Sequence, residues 1–379
     1  MGGEWWQPER YAARLPALEA RARIVAAIRR FFDARGFLEV ETPALQVSPG
    51  MEPHLEAFAT ELLTPGEAPA RRHLHTSPEF AMKKLLVAGL PRIYQIAHVF
   101  RNRERGPTHH PEFSMLEWYR AGAGYADLMA DCEALLRACL AAAGRDSFCW
   151  RGRRADPAPP WPRLSVAAAF EQYCGIDLLA TAPDPLRPDV GRLAAAARRA
   201  GIEPHPGDDW EDLFFRIFLE RIEPHLGVGV PTILCDYPIS MAALSRPKPD
   251  DPCLAERFEL YVCGLELANA FGELTDAAAQ RARFESDQAR KRALYGHAYP
   301  IDEDFLAALE HGLPESAGIA LGFDRLVMLL TGAGRIEEVL WAPVASIARR
   351  SKPSAMPALS GMPCAKASRK SSSIGYSTL

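Results

Sequence analysis

Two β-rich runs, at 92–101 and 113–119, face each other across a polar loop at 102–110, and this pairing restricts the fold more than any other feature of the chain. Successive side chains on a strand point to opposite faces. Ile93, Gln95, Ala97, Val99 and Arg101 therefore share one face, and Phe113, Met115, Glu117 and Tyr119 share a face of the return strand. A long antiparallel hairpin of this kind is not stable alone; it needs further strands or helices against it.

The rest of the chain supplies them. Strands are predicted at 232–234 and 257–271, and 318–332 reads as a buried strand passing into a helix. Residues 18–35 carry a helical stripe of Ile24, Ala27, Ile28, Phe31 and Phe32, closed by Gly36. An alternating run at 37–41 follows and stops at Pro43, and further helices are expected at 78–88 and 125–143. Residues 151–162 are dense in proline and arginine and read as a linker or irregular insertion. Residues 163–230 read as mostly helical. Helix, antiparallel strands, helical insertion, further strands and a final helix predict an α+β fold around an antiparallel sheet.

Composition excludes several classes. Of 379 residues 48% are hydrophobic and 24% charged, the balance of a soluble globular enzyme, and the net charge of −4 gives no overall pull toward nucleic acid. No apolar run is long enough for a membrane span, and the N-terminus lacks the apolar core of a signal peptide. The eight cysteines form no CxxC or zinc spacing, which predicts reduced thiols in the cytoplasm. After Glu338 there is no acidic residue, and 346–379 is a basic, serine-rich tail expected to be disordered.

Three constellations carry polar side chains beyond what a core needs. The hairpin face bears Gln95, Arg101, Glu117 and Tyr119, either as cross-strand ion pairs or as a binding face. The loop from Arg101 to His110 concentrates donors suited to polyphosphate, since a forked guanidinium binds oxygen pairs. Next, a two-residue turn at Cys263-Gly264 would set Tyr261 opposite Glu266 and Glu259 opposite Ala268. Glu259 and Glu266 would then share a face, repelling unless a cation or proton lies between them, and Mg²⁺ shared with ATP is a suitable occupant. An exposed acidic edge is the other reading. Finally, Gly318, Ala320 and Gly322 allow close approach to a strand backbone, and Arg325 stands at a helix N-terminus, where it suits an anion.

Phe37 to Pro43, Phe100-Arg101-Asn102 through Pro111-Glu112-Phe113, and Gly322-Phe-Asp-Arg325 resemble motifs 1, 2 and 3 of class II aminoacyl-tRNA synthetases. The strings His75-Thr-Ser-Pro-Glu79, His110-Pro-Glu-Phe-Ser-Met-Leu-Glu-Trp-Tyr119 and Glu266-Leu-Ala-Asn-Ala-Phe-Gly-Glu-Leu-Thr-Asp276 resemble the lysyl branch. Motif 1 is preceded by one helix, without room for the anticodon-binding barrel of lysyl-tRNA synthetases. That arrangement, with Met115-Leu-Glu-Trp-Tyr-Arg120 and Cys263-Gly-Leu-Glu-Leu-Ala-Asn269, resembles the elongation factor P–(R)-β-lysine ligase family.

The resemblance implies one catalytic domain over 1–345, with motif 1 at about 22–43, motif 2 at about 92–120, an insertion at about 146–230 and motif 3 at about 318–332. It implies ATP-dependent adenylation of (R)-β-lysine and transfer to a lysine of elongation factor P, in a cytoplasmic homodimer without tRNA or membrane. The stripe from Ile24 to Phe32 would pack against the second subunit, burial within its own subunit being the other reading. Arg101 would clamp the α-phosphate and Arg325 the terminal phosphates, with Asn102, Arg103, His110, Leu267 and Gly322 also at the nucleotide. Glu259 and Glu266 would hold Mg²⁺, Glu266 also contacting ATP. Ser77, Pro78, Glu79, Glu117, Tyr119 and Glu273 would bind the amino acid, with Ala320 shaping its pocket. Arg103 stands where the family often has glutamate, with Glu104 one place later, and His110 where it often has asparagine. From Ala345 onward the sequence departs from the family, as a shifted reading frame or a natural extension. Two other readings compete: a lysyl-tRNA synthetase-like enzyme charging tRNA with α-lysine, and an inactive regulatory paralogue.

Overall fold

The computed structural model describes residues 5–242 and 244–344; the basic tail lies outside them. Helix α1 (Pro8–Asp33) starts well before the apolar stripe, with Pro8 in the first turn, where its missing N–H goes unnoticed. The stripe itself turns inward. Ile24, Ile28 and Phe32 are fully buried, Phe32 stacking on Tyr94, so these side chains serve their own subunit's core and not the expected dimer contact.

Of the alternating run at 37–41 only β1 (Leu38–Glu39) is strand. Strands β2 (Leu45–Gln46), β3 (Ala59–Leu62) and β4 (Ala70–Leu74) form a small separate sheet that no sequence pattern announced. Helix α2 (Glu79–Val87) leads to the long hairpin, β5 (Arg92–Phe100) and β6 (Glu112–Ala121), in the expected register: Gln95 lies opposite Glu117 and Ile93 opposite Tyr119. Helix α3 (Tyr125–Ala143) ends on Gly144. Of the segment at 151–162, residues 156–162 are irregular as expected, but 151–152 form a tight turn between β7 (Phe148–Trp150) and β8 (Arg153–Ala155); β9 (Arg163–Ser165) follows. Arg151 and Gly152 both take positive φ, as a two-residue hairpin turn demands.

The insertion continues with α4 (Val166–Cys174), α5 (Val190–Arg199) and α6 (Trp210–Ile217), which bury a cluster of their own around Phe170, Leu193 and Phe214. Strands β10 (Thr232–Pro238), β11 (Leu254–Val262) and β12 (Leu265–Gly272) then return. Helices α7 (Ala277–Tyr295) and α8 (Glu303–Gly312), strand β13 (Ser316–Gly322) and helix α9 (Phe323–Thr331) complete the order. The main sheet runs β1-β5-β6-β13-β12-β11-β10-β9. Its inner pairs are antiparallel, but β1 joins β5 and β9 joins β10 in parallel, so the α+β architecture holds with a mixed sheet. The main core packs α1, α3 and α9 against one side of the sheet, and α2, α7 and α8 gather at the other, around the polar face.

A buried ionic knot locks the three signature segments. Arg21 on α1 pairs with Asp324 on α9, and Asp324 Oδ2 also accepts the Ser114 backbone N–H of β6 at 2.8 Å. Arg21 Nη2 donates to Ser114 Oγ at 2.8 Å and its Nη1 to the Val339 carbonyl. Breaking such a pair leaves an uncompensated buried charge. Arg21→Ala should lower unfolding stability by about 3–5 kcal/mol, measured by denaturant titration.

Candidate active site

The polar face predicted from the hairpin is real, and it is walled in. Glu117 and Glu273 are fully buried, and Tyr119 nearly so. Ser77 donates to Glu117 Oε1 at 2.6 Å and the Tyr119 hydroxyl to Glu117 Oε2 at 2.8 Å. Pro78 caps α2 and so sets Glu79 in its first turn, aimed at the same pocket. Lys83, one turn further on, lies 2.6 Å from Glu79 and 2.5 Å from Glu273. Ala320 on β13 sits opposite Glu117 on one side and Asn269 on the other. A Cβ on Gly318 would collide with the Tyr119 ring and Glu273 Oε1, so only glycine lets this wall close.

Glu79 and Glu273 thus share one buried ammonium, whose charge is also felt at Glu117. Burial and then Glu79 push the Glu117 carboxyl up to about 8, against the hydrogen bonds from Ser77 and Tyr119 and the charge of Lys83. Burial also raises Glu273, opposed by Lys83. Burial pushes Lys83 down, but Glu273 and Glu79 outweigh it and hold the ammonium charged. Glu52, which no sequence signal marked, lines the same pocket with one carboxylate oxygen buried and unpartnered; burial and Glu79 raise it too. The pocket holds protons where it could hold ligand ammonium groups.

Arg101 is shared between this pocket and an adjoining cleft of about 310 Å³. Arg325, His110, Gly322 and Phe113 line the cleft with it. The Arg101 guanidinium is buried, 5.4 Å above the Phe113 ring, with Nε 3.4 Å from the Thr76 carbonyl. Arg325 donates to the Glu266 carbonyl at 2.9 Å and to His109 Nε2 at 2.8 Å. His109, also unmarked by sequence, is held neutral: burial, Arg325 and Arg101 drive it down to about 3. Burial lowers the Arg325 guanidinium, Glu266 opposes this, and Arg101 adds to it. Two buried guanidinium groups lining one cleft favour a polyanion.

Asn102 pairs with Glu56 through its backbone, and its side-chain oxygen accepts the Arg103 N–H at 2.9 Å. Arg103 lies outside the cleft; its left-handed backbone, φ 65°, turns the chain so that Glu104 lines the cleft instead. His110 is buried in it, with Nδ1 2.6 Å from the Glu112 carbonyl. Leu267 points into the main core on the other side of the sheet, leaving only its backbone toward the site.

The Cys263-Gly264 turn forms with positive φ at both residues, and Tyr261 faces Glu266 as expected. A register shift beyond Tyr261, however, sets Glu259 opposite Asn269, not Ala268. Glu259 also has a cation already: Arg257 at 2.7 Å, with the Tyr261 hydroxyl at 2.7 Å. Burial, then Glu259, with Glu266 among the further causes, raises the Tyr261 hydroxyl well above its usual value. Among the described residues no group of three or more metal-ligating side chains gathers. Two carboxylates do fit Mg²⁺, which takes few protein ligands and completes its shell with water and phosphate oxygens.

Fold and site together define a class II synthetase catalytic unit, and the family model of tRNA synthetases class II (D, K and N) matches residues 10–346. The "Elongation factor P–(R)-beta-lysine ligase" of Haemophilus influenzae (strain PittGG) is 41% identical over 336 residues, 88% of this chain and 96% of that protein. Its namesake in Edwardsiella ictaluri (strain 93-146) is 42% identical over 340 residues, 88% and 96% of the two chains. The "Lysine–tRNA ligase" of Pelotomaculum thermopropionicum is 38% identical over 330 residues, 86% of this chain but 63% of that protein. The chain belongs to the class II tRNA synthetase family and, within it, to the elongation factor P–(R)-β-lysine ligases.

The pocket's protonation has a measurable consequence. If a ligand ammonium group binds at Glu117, it displaces the carboxyl's proton, and amino-acid binding then releases protons below about pH 8. The KM for the amino acid in pyrophosphate exchange should rise about tenfold per unit as pH falls below that value.

Proposed function

We propose that the protein is an ATP-dependent ligase that activates (R)-β-lysine as an adenylate and transfers it to a lysine side chain of elongation factor P. The observation that carries the amino-acid half is the excess of carboxyl groups in the pocket: Glu79, Glu117, Glu273 and Glu52 outnumber the one ammonium of Lys83 and leave room for ligand ammonium groups. (R)-β-Lysine brings two ammonium groups, and its carboxylate would then lie toward Arg101. Ser77 and Tyr119 hold Glu117 in place, the Pro78 cap presents Glu79, and the Ala320 methyl shapes the floor.

The bound carboxylate attacks the α-phosphorus of ATP and pyrophosphate leaves. A carboxylate is already a nucleophile, so this step needs positioning and charge stabilisation, not a base. Arg101 stands between the two subsites and takes the α-phosphate; Arg325 takes the terminal phosphates. Asn102, His110, Gly322 and the Leu267 backbone border the nucleotide, with Glu104 at the cleft where Arg103 was expected. Mg²⁺ held by Glu259 and Glu266 would neutralise phosphate charge. The names of the relatives support a protein acceptor over tRNA.

We take residues up to 345 as the catalytic domain, acting in the cytoplasm: cysteines from Cys132 to Cys263 are unpaired, and no described helix is long and apolar enough to cross a membrane. Exposed Leu38, Leu45 and Val47, beside motif 1, suit a homodimer contact.

The test is pyrophosphate exchange with ATP and (R)-β-lysine, followed by an offer of elongation factor P or tRNA. Modified protein is expected; charged tRNA, or no adenylate, would reject the reading. Arg325→Ala should cost on the order of 10²–10³ in exchange rate with the fold retained.

A further inference from the structure

One wall of the amino-acid pocket is shared with a larger cavity that activation leaves unused. Glu52, Asn269 and Phe271 line both spaces. The second cavity encloses about 980 Å³ including its open mouth, and Met51, Met241, Leu244 and Phe284 make its walls apolar. Its basic groups are committed. Arg257 is paired with Glu259, and Arg290 with Glu211 and, at 3.0 Å, with Asp209. His54 is driven down to about 4, by burial and then Arg290, so it is neutral at pH 7. Two carboxyl groups without a committed cation remain facing the void: Glu52 at the shared wall and Asp287 from α7.

An apolar channel with carboxylates along it fits a methylene stem that ends in an ammonium group. We propose that this cavity admits the acceptor lysine side chain of the protein substrate, and that Asp287 accepts the proton its ammonium must lose. The inference rests on the ligase reading above. The ammonium gives one proton to the Asp287 carboxylate, and the freed amine attacks the adenylate carbonyl. The bond from that carbon to the phosphate oxygen breaks, AMP leaves with the electron pair, and the nitrogen's second proton passes to solvent. The surroundings suit Asp287 to the task. Burial, then Glu52 and Glu211, raise its carboxyl to about 7 against Arg290 and Arg283, so it can take and release a proton near neutrality. Glu52 in turn senses Arg101, which ties the cavity electrostatically to the reacting centre.

Two variants test this, each followed by pyrophosphate exchange, by transfer to elongation factor P, and by capture of the adenylate with hydroxylamine, which is neutral at pH 7 and needs no base. In Asp287→Asn, transfer should fall at least 10²-fold more than hydroxylamine capture. Its remaining transfer should climb about tenfold per pH unit toward the lysine value of ~10.4, while the wild type levels off above pH 7. Ser240→Phe fills the cavity from a hydroxyl that has no hydrogen-bond partner, and should raise the KM for elongation factor P more than that for (R)-β-lysine. Equal losses in transfer and capture with a wild-type pH profile, or a larger KM effect on (R)-β-lysine, would overturn the proposal. Wild-type protein that exchanges no pyrophosphate or transfers nothing would instead defeat the ligase reading itself.

Discussion

The arrangement of this site depends on the buried pair between Arg21 and Asp324. One carboxylate receives the guanidinium of the first helix and the backbone N–H of the second hairpin strand, while standing at the start of the last helix. Three segments distant in sequence are thereby held in one relative position. Arg325, the neighbour of Asp324, and Ser114, on the strand that also carries Glu117 and Tyr119, inherit that position. The pair costs desolvation and adds little net stability over an apolar replacement. What it does provide is register, since no other placement of α9 satisfies both partners.

Around that frame the site gathers more like charge than a stable interior tolerates. Glu79 and Glu273 pair with one lysine, Glu117 and Glu52 line the same space, and burial raises the Glu117, Glu273 and Glu52 carboxyls. Arg101 and Arg325 present the opposite imbalance next door. Each half is incomplete alone, and each is completed by a ligand of opposite charge. The same imbalance selects the ligand: an uncharged amino-acid side chain would leave buried carboxylates uncompensated.

Much of this was legible in the chain. Strand alternation placed Gln95, Glu117 and Tyr119 on one face, and the Cys263-Gly264 turn was read correctly because type I′ chemistry is local. What failed depended on long-range or single-residue effects. The β-bulge that moves Glu259 from Ala268 to Asn269 leaves no composition signal. The left-handed backbone at Arg103, which sends Glu104 to the cleft, is a conformation that arginine seldom adopts. Glu52 and His109 lie in irregular segments, where no period predicts direction. Lys83 could have been found, since it follows Glu79 by one helical turn. The apolar stripe of α1 was seen correctly but assigned to a neighbour, because periodicity reports burial without saying against what.

The insertion acquires a reason for its position from the same geometry. Its helix α6 contributes Glu211 and Phe215 to the second cavity, and Arg290 of α7 is pinned to Asp209 and Glu211 across the gap. The helical segment that sequence left without a role is thus a wall, held by ion pairs that also occupy Arg290. Its core, built on Phe170, Leu193 and Phe214 and packed on Leu234, Tyr237 and Tyr261 of the main sheet, supports that wall. Changes within that core can therefore reshape the cavity, while the pair of Arg21 and Asp324 keeps the activating site in place.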